Sequence, residues 1–154
     1  HCTARSRCVA LGVAMIAPHF IVEDISVTSI EAIRKTYETS DLRAKLSRWH
    51  NDVDNAFYGW NGAWLDPGFR SWDICEYLAY IRVPVAILQG ADDQYGTLRQ
   101  VEIAQEECYC PVDVTVIPRA GHSPHREAPA ETLAAVSNFA NRLLRDHAEG
   151  QFAA

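Results

Sequence analysis

Three short apolar runs, rich in β-branched residues, constrain the fold more than any other feature of the sequence. They are Val9–Ala17, Val83–Gln89 and Val112–Ile117, and turn-forming residues follow each of them. Continuous apolar runs of this length are typical of strands that are buried on both faces, as in parallel sheets. Helical patterns alternate with strands after residue 80, which is the order of a doubly wound domain. The sequence therefore predicts an α/β fold with about three parallel strands and flanking helices.

The segment between the first and second strands is too long for a single crossover helix. The pattern predicts three helices there, the first opening with the capping-box spacing of Thr28 and Glu31. The second carries Leu42, Leu46 and Trp49, and the third, around Val53–Trp64, is rich in aromatic residues. A helical insert of this length suits a lid over a binding site.

Two loops that directly follow predicted strands carry titratable side chains. The first is Gly90-Ala91-Asp92-Asp93, and the second ends in Gly121-His122. In open parallel sheets, functional groups collect at the carboxyl ends of the strands. If the two strands are neighbours, a carboxylate can accept the ring N–H of His122, which fixes its tautomer and leaves the other ring nitrogen as a general base.

This order of motifs resembles the carboxyl-terminal half of an α/β-hydrolase. The family pattern is a strand with Gly-x-x-Asp, a strand with Gly-His, then Glu-x-Pro and a terminal helix, and it matches Val83 to about Leu144. The strand ending in Ala17-Pro18-His19, followed by the insert, is similar to the family's sixth strand and cap domain. The resemblance implies a partial α/β-hydrolase sheet with a helical cap, divided into a core of residues 1–25 and 71–154 and a cap of residues 26–70.

The resemblance also assigns roles to two side chains. Asp93 in Gly90-x-x-Asp93 is the implied triad acid, in preference to Asp92, and His122 is the implied base. The implied reaction is hydrolysis of an ester, an amide or a related acyl or carbon–carbon bond, with no metal and no organic cofactor. Glu127 matches the glutamate of Glu-x-Pro, and its expected work is to orient the turn or cap the last helix.

Ser123 is a second candidate for the reactive residue. Gly121-His122-Ser123 begins like the nucleophile elbow Gly-x-Ser-x-Gly, but the fifth position is His125, whose side chain would crowd a strained turn. In the family, moreover, the acid and the base follow the serine along the chain. We therefore interpret His122 as the base and Ser123 as a hydroxyl that caps the turn.

The sequence departs from the family at the nucleophile. None of its 8 glycines begins a complete Gly-x-Ser-x-Gly. We expect the nucleophile and most of the oxyanion hole to lie upstream of residue 1, and this chain alone to be inactive. The alternative is a non-catalytic binding or interaction domain that retains the hydrolase scaffold. If the chain is instead a fragment that lacks an upstream strand, its first strand presents an unpaired apolar edge, which predicts self-association.

Three further side chains are weaker candidates for lining a substrate site. Trp60 and Trp64 lie four residues apart in the insert, and His19 follows the first strand. The tryptophans suit a small hydrophobic substrate, although such a pair also commonly joins a cap to its body. A lone histidine after a proline is, as an alternative, an ordinary loop residue.

Charge and composition exclude several classes of function. The chain has 14 basic and 20 acidic residues, a net charge of −6 and no basic stripe, which argues against nucleic-acid binding. No apolar run is long enough to span a bilayer, and the lack of a signal-peptide pattern favours the cytoplasm. The 5 cysteines have no zinc-site spacing, so reduced thiols are favoured over a soft-metal pair at Cys108 and Cys110.

Overall fold

The computed structural model describes residues 10–150 and contains one parallel three-stranded sheet in this range. The strands are β1 (Val13–Ile16), β2 (Val85–Gly90) and β3 (Val112–Ile117), and β2 lies in the centre. Both pairings are parallel, with Val85 opposite Val13 on one side and Val112 on the other. The predicted α/β architecture of about three parallel strands is therefore confirmed.

The strand limits differ from the prediction at the first two strands. β3 has the predicted limits, but β2 begins at Val85 because Pro84 has no N–H to donate to a ladder. β1 is shorter than the predicted Val9–Ala17, since Ala17 has a left-handed backbone with φ 47° and ends the strand. Val9 and the chain before it lie outside the described residues.

Seven α-helices surround the sheet in the described part of the chain. Three of them lie between β1 and β2 where the insert was predicted, namely α1 (Asp24–Thr39), α2 (Leu42–Leu46) and α3 (Val53–Leu65). A 3-10 turn over Pro67–Ser71 and α4 (Cys75–Leu78) lead into β2, and α5 (Arg99–Glu107) joins β2 to β3. The chain ends with α6 (Pro124–Glu127) and α7 (Pro129–Ala148). No described helix is long and apolar enough to cross a membrane.

Two details of the predicted insert are wrong. The helix α1 begins at Asp24, so Thr28 is not a cap; its hydroxyl donates to the Asp24 carbonyl at 2.9 Å inside the helix. The buried face of α1 begins earlier than Thr28 and explains the difference, because Ser26 and Ile30 are both buried and the Ser26 hydroxyl donates to the Tyr95 carbonyl. Trp49 lies beyond the end of α2 and is 82% exposed, so it does not extend the apolar face of that helix.

The core forms a layer on each face of the sheet. On one face, Ile87 of β2 packs with Val101 and Ile103 of α5, and on the other, Leu88 packs with Phe139 and Leu143 of α7. The sequence pattern of the last helix predicts an apolar stripe of Leu133, Val136, Ala140, Leu143 and Leu144. This prediction is partly wrong, because Leu133 is 67% and Leu144 is 59% exposed. The buried face of α7 is centred on Phe139 instead, which the sequence analysis did not select.

A buried glutamine fixes the chain that leaves β1. The Gln100 Oε1 atom accepts from the Phe20 N–H at 2.7 Å and the Ile21 N–H at 3.3 Å. Its Nε2 atom donates to the Ile21 carbonyl at 3.1 Å and to Glu23 Oε2 at 2.7 Å. Because a buried side chain satisfies several backbone groups at once, the segment that carries His19 is held rigidly beside the sheet.

Candidate active site

The two predicted loops meet at the carboxyl edge of the sheet. The Asp93 Oδ2 atom lies 2.9 Å and its Oδ1 atom 3.1 Å from His122 Nδ1, although the residues are 29 positions apart. The contact exists because Asp93 follows β2, His122 follows β3, and these strands are neighbours in the sheet. The structure therefore brings together the two side chains that the sequence analysis selected first.

The carboxylate of Asp93 is almost fully enclosed by hydrogen-bond donors. Its side chain is 1% exposed, and it accepts from the Tyr95 N–H at 2.8 Å and the Gly96 N–H at 3.3 Å. Burial acts to raise its pKa, but the hydrogen bonds from His122, Tyr95 and Gly96 outweigh burial and hold the pKa below its ordinary value. Asp92 is exposed, so the geometry favours Asp93 as the partner of His122.

Gln89 is a site residue that the sequence analysis missed. It lies in β2, is 1% exposed, and donates through Nε2 to Asp93 Oδ2 at 2.7 Å and to the Gly96 carbonyl at 3.2 Å. Its Oε1 atom is buried and has no hydrogen-bond partner among the described residues. A polar residue inside an apolar central strand was the signal that could have found it, since buried polar groups need partners.

The histidine loop is held by a glutamate. The Glu127 Oε2 atom accepts from the Gly121 N–H at 2.6 Å, and its Oε1 atom accepts from the Ser123 N–H at 3.2 Å. The two bonds fix the backbone on both sides of His122. The interpretation of Glu127 as the residue that orients this turn is therefore confirmed.

The geometry of Ser123 supports neither of the two roles considered for its side chain, a nucleophile and a hydroxyl that caps the turn. It occupies the N-cap position of α6, but its hydroxyl makes no capping bond; the expected turn-capping hydroxyl is therefore wrong. The Ser123 carbonyl accepts instead from the Arg126 N–H at 2.8 Å and the Glu127 N–H at 3.0 Å. With φ at −120°, the backbone of Ser123 also lacks the strain of a nucleophile elbow.

One small cavity of about 80 Å³, which we call the dyad cavity, is lined by His122 and by the three weaker candidates of the sequence analysis. Its walls are His19, Ile30, Trp60, Trp64, Tyr95 and His122. The ring centre of His19 lies 5.1 Å from that of Trp64 and 5.4 Å from that of His122. Tyr95 was missed by the sequence analysis; its ring lies 5.0 Å from that of His122. His19 lies in the loop that follows β1, as the alternative interpretation expected, and its ring also lines the dyad cavity.

His19 is held in its neutral form by its surroundings. Burial lowers its pKa, and the neighbouring His122 lowers it further, against smaller opposing effects of Asp93 and Glu23. Its Nδ1 atom is buried and makes no hydrogen bond to any described residue. Burial and His122 therefore favour the uncharged form of His19, and its unbonded Nδ1 atom lies in the cavity close to the Asp93–His122 pair.

The lowered pKa of His19 predicts a loss of stability in mild acid. Because the unfolded chain takes up a proton near pH 6.5 and the folded chain resists it, stability is fully present above that pH and falls below it. We expect His19→Phe to remove this loss, which is at most about 1.4 kcal/mol per pH unit. Urea unfolding at pH about 7.5 and about 5.5 measures it.

A matched control for this measurement is His125→Phe, because His125 is exposed and close in sequence to the site. That variant should lose as much stability between the two pH values as the unmodified chain. An identical pH dependence in the His19→Phe variant would show that His19 is not the group responsible.

Metal-binding residues do not cluster in the described part of the chain. Within residues 10–150, no group of three or more His, Cys, Asp and Glu side chains is arranged to hold a metal ion. Cys108 and Cys110 are free, and burial together with Cys110 raises the pKa of Cys108 to about 11. Cys2 and Cys8 lie outside the described residues.

Comparison with solved structures identifies the fold. No protein-family model and no curated protein matches the sequence. NosK from Streptomyces actuosus superposes with a TM-score of 0.64 at 18% identity, covering 86% of this chain and 59% of that one. The CarC serine hydrolase involved in carbazole degradation gives 0.60 at 15% identity, covering 84% and 54%. E-2-(acetamidomethylene)succinate hydrolase gives 0.58 at 20% identity, covering 85% and 57%.

These structures are α/β-hydrolases, and the chain spans a little over half of the length of each of the three. The superposed part makes up more than four-fifths of this chain in each of the three comparisons. Residues 10–150 thus have the fold of the carboxyl-terminal part of an α/β-hydrolase.

Proposed function

We propose that this chain supplies the acid and the base of an α/β-hydrolase of the serine-hydrolase type. In this proposal Asp93 orients His122, and His122 takes the proton from a serine that lies in a segment outside these 154 residues. The observation that supports it most is the hydrogen bond between His122 Nδ1 and the buried Asp93 carboxylate. The fold alone, at under 25% identity, does not imply a reaction.

The chemistry follows from the orientation of the imidazole. With Nδ1–H donated to Asp93, Nε2 carries the lone pair that can accept a serine hydroxyl proton as Oγ bonds to the substrate carbonyl carbon. The same proton then passes to the leaving group as the scissile bond breaks. Water repeats the attack on the acyl-enzyme, and His122 again takes and returns the proton. Asp93, enclosed by donors, stabilises the imidazolium form that exists between these transfers.

The walls of the dyad cavity support a small hydrophobic substrate with an ester, amide or related acyl or carbon–carbon bond. Trp60, Trp64 and Ile30 present apolar surface, and His19 and Tyr95 add polar atoms. A cavity of about 80 Å³ holds only a small group, whereas ligand pockets typically enclose about 300 Å³ or more. The dyad cavity therefore suits the reacting group of a substrate rather than the whole molecule.

The absence of a complete Gly-x-Ser-x-Gly favours one alternative, a binding or interaction domain that keeps the hydrolase scaffold.

A fluorophosphonate probe, which labels activated serines, separates the hydrolase from the binding domain. We expect the 154-residue chain to remain unlabelled and a longer protein, which carries Gly-x-Ser-x-Gly together with this chain, to be labelled at that serine. Labelling of neither protein would support the binding domain. Stoichiometric labelling of the short chain that Ser123→Ala abolishes would overturn our assignment of the nucleophile.

We also propose that the isolated chain associates with itself through β1. The outer edge of β1 has no strand partner among the described residues, and Ile16 is 39% exposed. Exposed strand edges with apolar side chains are templates for pairing. Light scattering should show a mass that rises with concentration, and Ile16→Lys should reduce it. Ile25→Lys is the control, because Ile25 is 37% exposed but lies on α1; a monodisperse monomer at high concentration would contradict the proposal.

A further inference from the structure

Two serine hydroxyls join the helix α1 to the loop that carries Asp93. The Ser29 hydroxyl donates to the Gln94 carbonyl at 2.6 Å, and the Ser26 hydroxyl donates to the Tyr95 carbonyl. The two serines lie three positions apart in a helix, so both of them can face the same loop. Hydrogen bonds to two consecutive carbonyls therefore form part of the contact between α1 and this loop.

Three threonine hydroxyls of α1 behave differently from these serines. Thr28, Thr36 and Thr39 each donate to the carbonyl four residues earlier in the same helix, at 2.9 Å, 3.0 Å and 2.7 Å. Bonds of this kind are the usual choice for Ser and Thr inside a helix. Ser26 and Ser29 donate outside the helix instead, which indicates that their hydroxyls act on the loop.

The two carbonyls belong to peptide groups that also donate to the carboxylate of Asp93. The Gln94 carbonyl shares its peptide group with the Tyr95 N–H, which donates to Asp93 Oδ1 at 2.8 Å. The Tyr95 carbonyl shares its peptide group with the Gly96 N–H, which donates to the same oxygen at 3.3 Å. A peptide group is planar, so a bond that fixes its carbonyl also fixes the direction of its N–H. The accepted bond also polarises the group, which makes its N–H a stronger donor.

The next peptide group of the loop is held at both ends as well, but in the opposite sense. The Gly96 carbonyl accepts from Gln89 Nε2 at 3.2 Å, and the Thr97 N–H donates to Glu23 Oε2 at 3.0 Å. Glu23 is the residue that directly precedes α1, and Gln89 itself donates to Asp93. The beginning of α1 thus fixes three consecutive peptide groups of the loop around one carboxylate.

We propose that Ser26 and Ser29 are positioning residues for Asp93, which act through the peptide groups of the loop and touch no substrate. They hold the Tyr95 and Gly96 N–H groups toward Asp93, and so keep its carboxylate directed at His122 Nδ1, 2.9 Å away. Without a serine hydroxyl, the peptide group it holds can turn, and Asp93 loses the corresponding donor. The consequence for catalysis rests on the proposed function, whereas the orientation of Asp93 does not.

NMR spectroscopy of the 154-residue chain tests each bond separately. Ser29→Ala should speed hydrogen exchange of the Tyr95 N–H about fivefold, the change that one ordinary hydrogen bond corresponds to, and should shift the His122 Nδ1–H signal. Ser26→Ala should act on the Gly96 N–H instead. Ser29→Thr keeps the hydroxyl and should restore the exchange rate and the signal. A general loss of stability would speed both amides alike and would not be reversed by threonine.

Thr28→Ala is the matched control, because Thr28 is the neighbour of Ser29 in α1 and its hydroxyl bonds inside the helix. That variant should leave both amides and the His122 signal unchanged. Unaltered exchange of the Tyr95 N–H in Ser29→Ala would overturn the proposal, as would equal effects of Thr28→Ala and Ser29→Ala. Ser26 is fully buried, whereas Ser29 is partly exposed, so the Ser29 variants decide the outcome even if Ser26→Ala does not fold.

The catalytic consequence is measured in a longer protein that carries Gly-x-Ser-x-Gly together with this chain. Ser29→Ala should lower kcat about fivefold and leave KM within about twofold, and Ser29→Thr should restore kcat. Failure of fluorophosphonate labelling in the unmodified longer protein would count against the hydrolase alone, because the NMR measurements need no catalysis. A labelled protein whose kcat is the same with Ser29→Ala would show that the reaction does not depend on this contact.

Discussion

Replacing Gly90 with alanine is expected to destabilise the protein by about 3 kcal/mol or more and to separate Asp93 from His122. A Cβ atom at this position would lie 2.1 Å from the Gly121 carbonyl oxygen and 2.3 Å from that of Ala120. Both obstacles are backbone atoms, so no side-chain rotation can relieve the clash. The loop after β3 would have to move, and the 2.9 Å hydrogen bond from the Asp92 N–H to the Ala120 carbonyl would be lost.

Urea unfolding measures the change in stability, and the NMR signal of the His122 Nδ1–H proton reports the contact with Asp93. Gly62→Ala is the matched control, because nothing lies within 4 Å of a Cβ atom there and Gly62 is inside α3. That variant should gain about 0.5–1 kcal/mol, since alanine favours a helix over glycine. Gly90→Ala with unchanged stability and an intact Nδ1–H signal would show that the loops do not depend on this close approach.

Gly90 also gives a physical reason for the motif in which it occurs. Among the described glycines, only Gly150 has a positive φ. The backbone of Gly90 is therefore not left-handed, and backbone conformation does not explain why a glycine stands there. The constraint is that the loops after β2 and β3 pass within contact distance, which leaves no space for a side chain. The glycine of Gly90-x-x-Asp93 and the backbone of Gly121-His122 are therefore parts of the same close approach between two loops.

The sequence was sufficient to predict the features that follow from the order of the strands, namely the sheet and the meeting of the two loops. Short apolar runs located the sheet, and the position of polar loops at strand ends predicted that a carboxylate of the first loop lies beside His122. The choice of Asp93 over Asp92 came from the resemblance to the α/β-hydrolase pattern.

Gln89 left a signal that the sequence analysis did not use, namely a polar residue inside an apolar strand. Gln100 left none, because its partners Phe20 and Ile21 are about 80 positions away in the chain. The role of Gln100 becomes visible only once the backbone groups around it have positions.

Helix limits and faces were predicted less well because several signals compete. Thr28 has the sequence of a cap, but burial of Ser26 and Ile30 extends α1 past it. In α7, the leucines are more apolar than their neighbours, yet Leu133 and Leu144 face outwards while Phe139 contacts the sheet. The orientation of a helix follows the space available against the sheet, and hydrophobicity along the sequence does not contain that information.

His122→Ala is expected to lower kcat on the order of 10⁶-fold in a longer protein that carries both this chain and Gly-x-Ser-x-Gly. Without the imidazole, no group in the dyad cavity has a partner like Asp93 to stabilise it after it accepts the serine proton. The stability of the fold should change by less than about 1 kcal/mol. The reason is that the His122 side chain is 33% exposed, and Asp93 keeps its bonds from Gln89, Tyr95 and Gly96.

The combination of lost activity and retained stability separates a proton-transfer role from a structural one. His125→Ala is the control, because His125 is an exposed histidine three positions away in the same turn, and its kcat should stay within about twofold. Asp93 gives the complementary case. Asp93→Ala should lower both kcat and stability, since the buried donors of Gln89, Tyr95 and Gly96 would lose their acceptor. Equal kcat in the His122→Ala and His125→Ala variants would mean that another residue accepts the proton, and His19, with its buried and unbonded Nδ1 atom, would be the next to replace.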